Sequence, residues 1–542
     1  MCSAYKNEPV VAEMTSETSH SGPESPSSQP AGAPGFAAAI SRNMAASLAR
    51  VLAVSVVAIA LPAYLTHRLP VATYAAWVLI LQLAAYVSYL DLGVQTAVSK
   101  FVAEYEAKGD RNGAGRHASA GLAFMLLAGT LGLIVTLVLA WQVPRLFHGM
   151  PANLYHDVRV SVILVGSSLS FGLVCAVYGA IFLGLQRYWV PMTISIVNRV
   201  SFAVIILAVV ALHGHLEAMG IAVALVNVAT GLLQVLVWRR KAAYIPISAA
   251  LASMRVLKTM ARYCSLQSIW IFGMLCVAGL DVTIVGHYDY AQTAYYSIAV
   301  LPTNFVLLII SSLVNPLMPA SAALSTQRSP AEMGDFLSKI TRYGTLVLLL
   351  TGLPLLVCGS PFLRLWVGPA YAMHTIRYLQ ILVLANIIRN LCAPYATMMV
   401  ATDNQGPATA ASVCEAVVNL GSSIYLASRF GAIGVAMGTV IGSVVSVSLH
   451  FAVSMHYSRQ ILAISRSRLF LKGMLQPAIC AIPSLVLLPM WWSSGRMDLN
   501  PGLTIVWGAS TLVFAWLAGL NGKERTYLMH LAKRPTWATA ES

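Results

Sequence analysis

Solid apolar runs, each about the length needed to cross a bilayer as a helix, alternate with short polar breaks along most of this chain. Six such runs fall in a first half, at 44–66, 72–97, 118–141, 160–185, 190–212 and 218–238. Six more fall in a second half, at 262–287, 291–318, 340–362, 376–400, 408–429 and 431–454, and a last pair follows at 471–492 and 502–520. A membrane barrel would alternate apolar and polar residues, whereas these runs are apolar on every face. With no water in hydrocarbon to bond the backbone, only helices and closed barrels can span it. The pattern therefore predicts an all-α polytopic membrane protein with about fourteen transmembrane helices.

The longest polar interruption runs from Trp238 to Tyr263 and holds Arg239, Arg240, Lys241, Arg255, Lys258 and Arg262 without an acid. It reads as a cytoplasmic connector between two six-helix lobes. Within it, Leu251, Met254, Leu257, Met260 and Ala261 recur at helical spacing on one side and the cations on another, which suits a helix lying on an anionic inner leaflet. The expected organisation is a disordered, Ser/Pro/Glu-rich head at 1–43, a first lobe at 44–238, the connector at 239–261, a second lobe at 262–454, an extra helix pair with its leading loop at 455–520, and a tail at 521–542. Met219-Gly-Ile-Ala-Val-Ala-Leu-Val in the sixth span matches Ile433-Gly-Val-Ala-Met-Gly-Thr-Val in the twelfth. The match suggests two repeats of like orientation with a site between them.

Composition sharpens this picture. The 542 residues are 58% hydrophobic and only 10% charged, with a mean hydropathy of +0.73, against about 25% charged in a soluble chain. The net charge of +15 follows from the excess of Lys and Arg in cytoplasmic loops and does not call for nucleic acid. With the N-terminus inside, 24 of the 34 Lys and Arg fall in cytoplasmic segments, seven in outer loops and three inside spans. Both termini are then cytoplasmic. The eight cysteines are scattered without a Cys-x-x-Cys, so neither a metal site nor a disulfide framework is expected.

No nucleophile elbow, phosphate-cradling glycine loop or paired acid motif is present, and the outer loops are short, so a transporter is expected in place of an enzyme, without a cofactor. Charges inside spans cost about 2.5–3.5 kcal/mol on insertion scales and so mark function or buried pairing. Arg50, Arg199 and Arg389 are the arginines so placed, with Asn198 beside Arg199 and with Asn386 and Asn390 near Arg389. A guanidinium grips phosphate with a planar, permanently charged fork, so these six residues are the candidate contacts for a pyrophosphate headgroup. The intramembrane acids Asp91, Asp281 and Glu415 are the candidates for ion coupling or gating. The competing reading pairs the arginines with these acids to lock helices, for instance Arg50 with Asp91.

Several pieces together resemble the Wzx-type oligosaccharide flippases, a polysaccharide transporter family within the multidrug/oligosaccharidyl-lipid/polysaccharide exporter (MOP) superfamily. They are Asp91-Leu-Gly-Val-Gln-Thr-Ala-Val-Ser-Lys-Phe-Val-Ala-Glu-Tyr with Lys108-Gly-Asp, Gly184-Leu-Gln-Arg-Tyr, Asp281-Val-Thr-Ile-Val-Gly, and Ala401-Thr-Asp-Asn-Gln-Gly. The resemblance covers about 44–455, and the extra final pair is usual in fourteen-span members. It implies a V-shaped two-lobe bundle, alternating access and a cationic lumen, with no single arginine fixed by motif. It implies export of an undecaprenyl-pyrophosphate-linked oligosaccharide across a bacterial inner membrane for O-antigen, capsule or exopolysaccharide assembly. The partners it implies are that lipid-linked saccharide, membrane lipids, a polysaccharide polymerase with its export machinery, and a coupling proton or sodium. A lipid II flippase and a drug/cation antiporter of the same fold are the alternatives. The antiporter would be expected to carry a buried acid in the first lobe, commonly in span 1, where this chain has Arg50.

Overall fold

The computed structural model describes residues 54–248, 253–402, 404–486 and 501–520, together with 522, 524–526 and 529. Among these no strand occurs. Twelve helical stretches are long and apolar enough to cross a membrane, and two shorter apolar helices stand at the first and last positions. The fourteen positions expected from the hydrophobic pattern are thus all occupied by helix, and the protein is an all-α, multi-pass membrane bundle.

The first half comprises α1 (Val54–Arg68), α2 (Val71–Ala85), α3 (Val94–Ala107), α4 (Arg111–Leu146), α5 (Tyr155–Gly184), α6 (Trp189–Ala211) and α7 (Leu216–Lys241). The second comprises α8 (Met254–Met274), α9 (Asp281–Tyr288), α10 (Tyr290–Val314), α11 (Leu317–Ser325), α12 (Pro330–Val357), α13 (Gly359–Val367), α14 (Pro369–Asn390), α15 (Ala393–Ala401), α16 (Gly406–Phe430) and α17 (Ala432–Leu449). The extra pair is α18 (Arg466–Val486) and α19 (Gly502–Leu517).

Packing follows one plan twice. In the first half α5 packs against α2, α4 and α7, and α6 packs against α7. In the second half α14 packs against α10, α12 and α17, and α16 packs against α17. The second span of each half is also broken at a matching place. After α2 the chain makes a 3-10 turn over Tyr86–Asp91 and passes Leu92 (φ 49°) and Gly93 (φ 81°) in left-handed conformation before α3. After α10 it breaks at Asn315-Pro316, where proline lacks the backbone donor a helix interior needs. The expected span at 72–97 is therefore divided between two helices, and the one at 291–318 ends as α10 at Val314, where the Asn315-Pro316 pair predicts a break.

Local chemistry sets the ends. The Asp110 side chain accepts from Gly113 N at 2.7 Å to start α4. Ser329 and Glu332 form a reciprocal capping box at α12, with Pro330 at the first helical position. Gly431 (φ 61°) turns the chain between α16 and α17, and a Cβ there would lie 2.6 Å from the Asp289 carboxylate.

The connector differs from expectation. Its helix begins at Met254, capped by Ser253, and runs without a break at 261–262 to Met274. It is continuous with the helix that leads into the seventh span at Ile271–Tyr288. Met260 is fully buried against the first half, at Val98 and Gly121, while Arg255, Lys258 and Arg262 are exposed. Ser248 N donates to Ser119 Oγ at 3.0 Å, tying the preceding turn to α4. The head at 1–43, the rest of the first span to 53, and most of the tail lie outside the described residues.

Candidate functional site

A cavity of about 370 Å³ lies between the halves. Its wall comes from α1, α2 and α6 of the first half and from α9 and α10 of the second. Most of it is apolar, with Leu61, Trp77, Leu81, Phe202 and Val300 among the lining side chains. Its polar members are Arg199, Gln82, Asn304 and Ser297. Arg199 is exposed and is the arginine among the lining residues. A guanidinium in such a wall can grip an anionic group with two parallel, charge-assisted hydrogen bonds.

The halves meet along one polar seam on α2. Gln82, Tyr86 and Tyr89 share a face at helical spacing. Gln82 Nε2 donates to Gly279 O at 2.7 Å, Tyr86 Oη and Thr283 Oγ1 lie 2.5 Å apart, and Tyr89 lies against Gly279. Gly279 closes a π-helical turn, Leu275–Gly279, between α8 and α9. Such a turn leaves carbonyls without helical donors. Asn419 Nδ2 of α16 bonds another of them, Val277 O, at 2.6 Å. The turn is thus held from both halves.

Beyond the cavity, toward Arg68, Leu146 and Tyr288, the halves are sealed. Tyr290 Oη donates to Ala72 O at 2.7 Å, Trp366 Nε1 to Ile59 O at 2.7 Å, and His287 Nδ1 lies 2.5 Å from Leu146 O. Tyr74 packs edge-on to Tyr371. Gly286 allows the closest approach, since a Cβ there would meet Leu79 at 2.9 Å and Phe147 at 3.0 Å.

The remaining candidate residues fall elsewhere. Arg389, expected at the cavity, lies inside the second half, where its Nε donates to Glu415 Oε1 at 2.5 Å. Both side chains are mostly buried, at 17% and 7% exposure. The physical reason is cost: α14 and α16 bring opposite charges to lipid depth, and pairing them offsets part of the penalty that each would carry alone. Asp281 is buried nearby, within the electrostatic reach of Arg389, and its Oδ2 accepts from Tyr296 Oη at 3.3 Å and Thr439 Oγ1 at 3.4 Å. Asn386 bonds its own helix at Leu382 O, and its Oδ1 is buried without a partner. Asn390 bonds Asn386 O. Asn198 faces away from the cavity, donating to Thr230 Oγ1 of α7 at 2.9 Å in a second, apolar groove of about 300 Å³. Asp91 Oδ1 accepts from Gln95 N at 3.2 Å, capping α3 at the break. Arg50 lies outside the described residues.

Of the six candidate headgroup contacts, then, Arg199 alone is among the described residues lining this cavity. Sequence reasoning missed Gln82, although a lone amide in Val78-Leu-Ile-Leu-Gln-Leu is a legible signal. It also missed Tyr296 and Thr439, which nothing in their apolar surroundings distinguishes.

Two halves of like helix pairing thus meet around a cavity that is sealed at one end. No protein-family model matches the chain, and no curated protein matches it by sequence. Solved structures do match. An inward-facing multidrug-resistance MATE family transporter of the MOP superfamily superposes with a TM-score of 0.61 at 15% identity, over 75% of this chain and 95% of that one. The lipid II flippase MurJ in an inward closed conformation superposes with a TM-score of 0.63 at 13% identity, over 91% of this chain and 100% of that one. A MOP superfamily transporter from Pyrococcus furiosus, with a binding pocket of reverse polarity, gives 0.53 at 15% identity over 78% and 94%. At these identities the likeness is one of fold.

Proposed function

We propose that this chain is a flippase that carries a polyprenyl-pyrophosphate-linked oligosaccharide across a bacterial inner membrane, by alternating access, for surface polysaccharide assembly. The observation that carries this reading is Arg199 in the wall of a mostly apolar cavity between the halves. A pyrophosphate would take the guanidinium, the apolar wall would lie along the lipid portion, and Gln82 and Asn304 supply hydrogen bonds to sugar hydroxyls. With both termini cytoplasmic, the seal at Tyr290 and Trp366 is periplasmic, so the described arrangement is closed to the outside. The Wzx-type motifs quoted above favour the oligosaccharide over other lipid-linked cargo.

Lipid II is the second reading. The lipid II flippase matches over 91% of this chain, whereas the other two structures above leave about a quarter unmatched. A deletion strain separates the two. Accumulation of a lipid-linked surface-polysaccharide unit on the cytoplasmic side supports the proposal. Accumulation of lipid II with intact surface polysaccharide sinks it.

A further inference from the structure

The inner end of the first half carries more positive charge than its own packing needs. Helix α7 ends in Arg239, Arg240 and Lys241, and α8 opens with Arg255, Lys258 and Arg262, all exposed or partly so. Nearby cations rest on aromatic rings and not on carboxylates. Lys241 Nζ sits 4.6 Å from the Trp189 ring centre, Lys100 Nζ 4.7 Å from Tyr263, and the Arg111 guanidinium 5.2 Å from Tyr244. Such contacts hold a side chain in place without neutralising it. Two neighbouring acids are otherwise engaged: Glu104 pairs with Lys108 at 2.6 Å, and Asp110 caps α4 and faces Arg116 at 3.6 Å; Glu106 turns its Oε2 into the protein, buried and without a hydrogen-bond partner. Among the described residues no ion pair joins the α7 or α8 cations to a carboxylate.

We propose that this face is a docking surface for anionic phospholipid headgroups, and that lipid bound there holds α8 against the first half. The face lies where spans end, so a leaflet surface reaches it. The opposite side of α8 is already committed to the protein through Met260. From this face α8 runs to the π-turn, whose carbonyls are bonded by Gln82 of the cavity wall and Asn419 of the second half. Lipid that fixes α8 therefore stabilises the seam between the halves. The inference depends on the face meeting a membrane surface and not on what crosses the cavity, so its failure leaves the flippase reading untouched.

The test is thermal melting of the purified full chain in detergent, titrated with phosphatidylglycerol or with phosphatidylcholine. Phosphatidylglycerol should raise the melting temperature of the wild type, phosphatidylcholine should not, and high salt should erase the rise. Removing three surface charges lowers anionic-lipid affinity roughly a hundredfold, at about fivefold per charge. The triple variant Arg255→Gln/Lys258→Gln/Arg262→Gln should therefore need far more phosphatidylglycerol for the same rise. Arg255→Lys/Arg262→Lys keeps the charge and should titrate as the wild type does. An equal response of wild type and triple variant, or equal effects of the two lipids, overturns the proposal. If the triple variant is too unstable to purify, a wild-type rise that persists at high salt overturns it.

Discussion

Replacing Arg389 with alanine leaves Glu415 buried in the second half without its direct partner. The pair is short, at 2.5 Å, and Glu415 is only 7% exposed, so water cannot easily take the place of the guanidinium. Removing one partner of a buried ion pair costs about 3–5 kcal/mol, and a lone charge at the centre of a spanning helix costs about 2.5–3.5 kcal/mol. Both routes place the penalty near 3 kcal/mol, more than a hundredfold in the folded population. Arg389→Ala should therefore lower membrane abundance and melting temperature together. Arg389→Met/Glu415→Leu replaces the pair with apolar groups and should recover most of the loss. Arg389→Met/Asp281→Asn should not, because the direct partner is Glu415. Abundance, melting and export are measured on the same membranes. Arg389→Ala at wild-type abundance and melting temperature but without export would refute this reasoning and return Arg389 to the transport path.

Four further outcomes are expected. Arg199→Ala should abolish polysaccharide export at normal membrane abundance, and Arg199→Lys, which keeps the charge but loses the fork, should retain part of it; an export assay alongside immunoblotting decides. Gly286→Val adds methyls where Leu79 and Phe147 already stand within 3.0 Å of a Cβ, so it should open the seal or cost about 1–3 kcal/mol, read by labelling of outer-end cysteines and by melting. Reporter fusions after Tyr244 and after Ala331 should report the cytoplasm, and one after His213 the periplasm. Deleting residues 2–38 should leave export intact.

Much of the architecture was legible because lipid imposes a simple rule. A helix must satisfy its own backbone, so length and apolarity locate every span. Breaks were legible where proline removes a donor, as at Asn315-Pro316, and not where a left-handed residue does the work, as at Leu92. The repeated motif was legible, but its glycines do different jobs. Gly220 lies against Ser161 of α5, whereas Gly434 lies against Leu426 of α16. The site was half legible. Arg199 and Arg389 look alike in sequence, each a single arginine at mid-depth near asparagines. What separates them is the neighbour each helix face meets: a cavity for Arg199, and an acid 26 residues along the chain for Arg389. Single-sequence periodicity cannot assign those faces where every side of a helix is apolar.

The central claim is best tested by reconstitution. The full chain is placed in proteoliposomes carrying a fluorescent polyprenyl-pyrophosphate-linked oligosaccharide, and a membrane-impermeant quencher reports which leaflet holds the probe. The expected result is exchange between leaflets that depends on the protein and is lost with Arg199→Ala. Exchange no faster than in protein-free vesicles, while the same preparation moves lipid II or an organic cation, would contradict it.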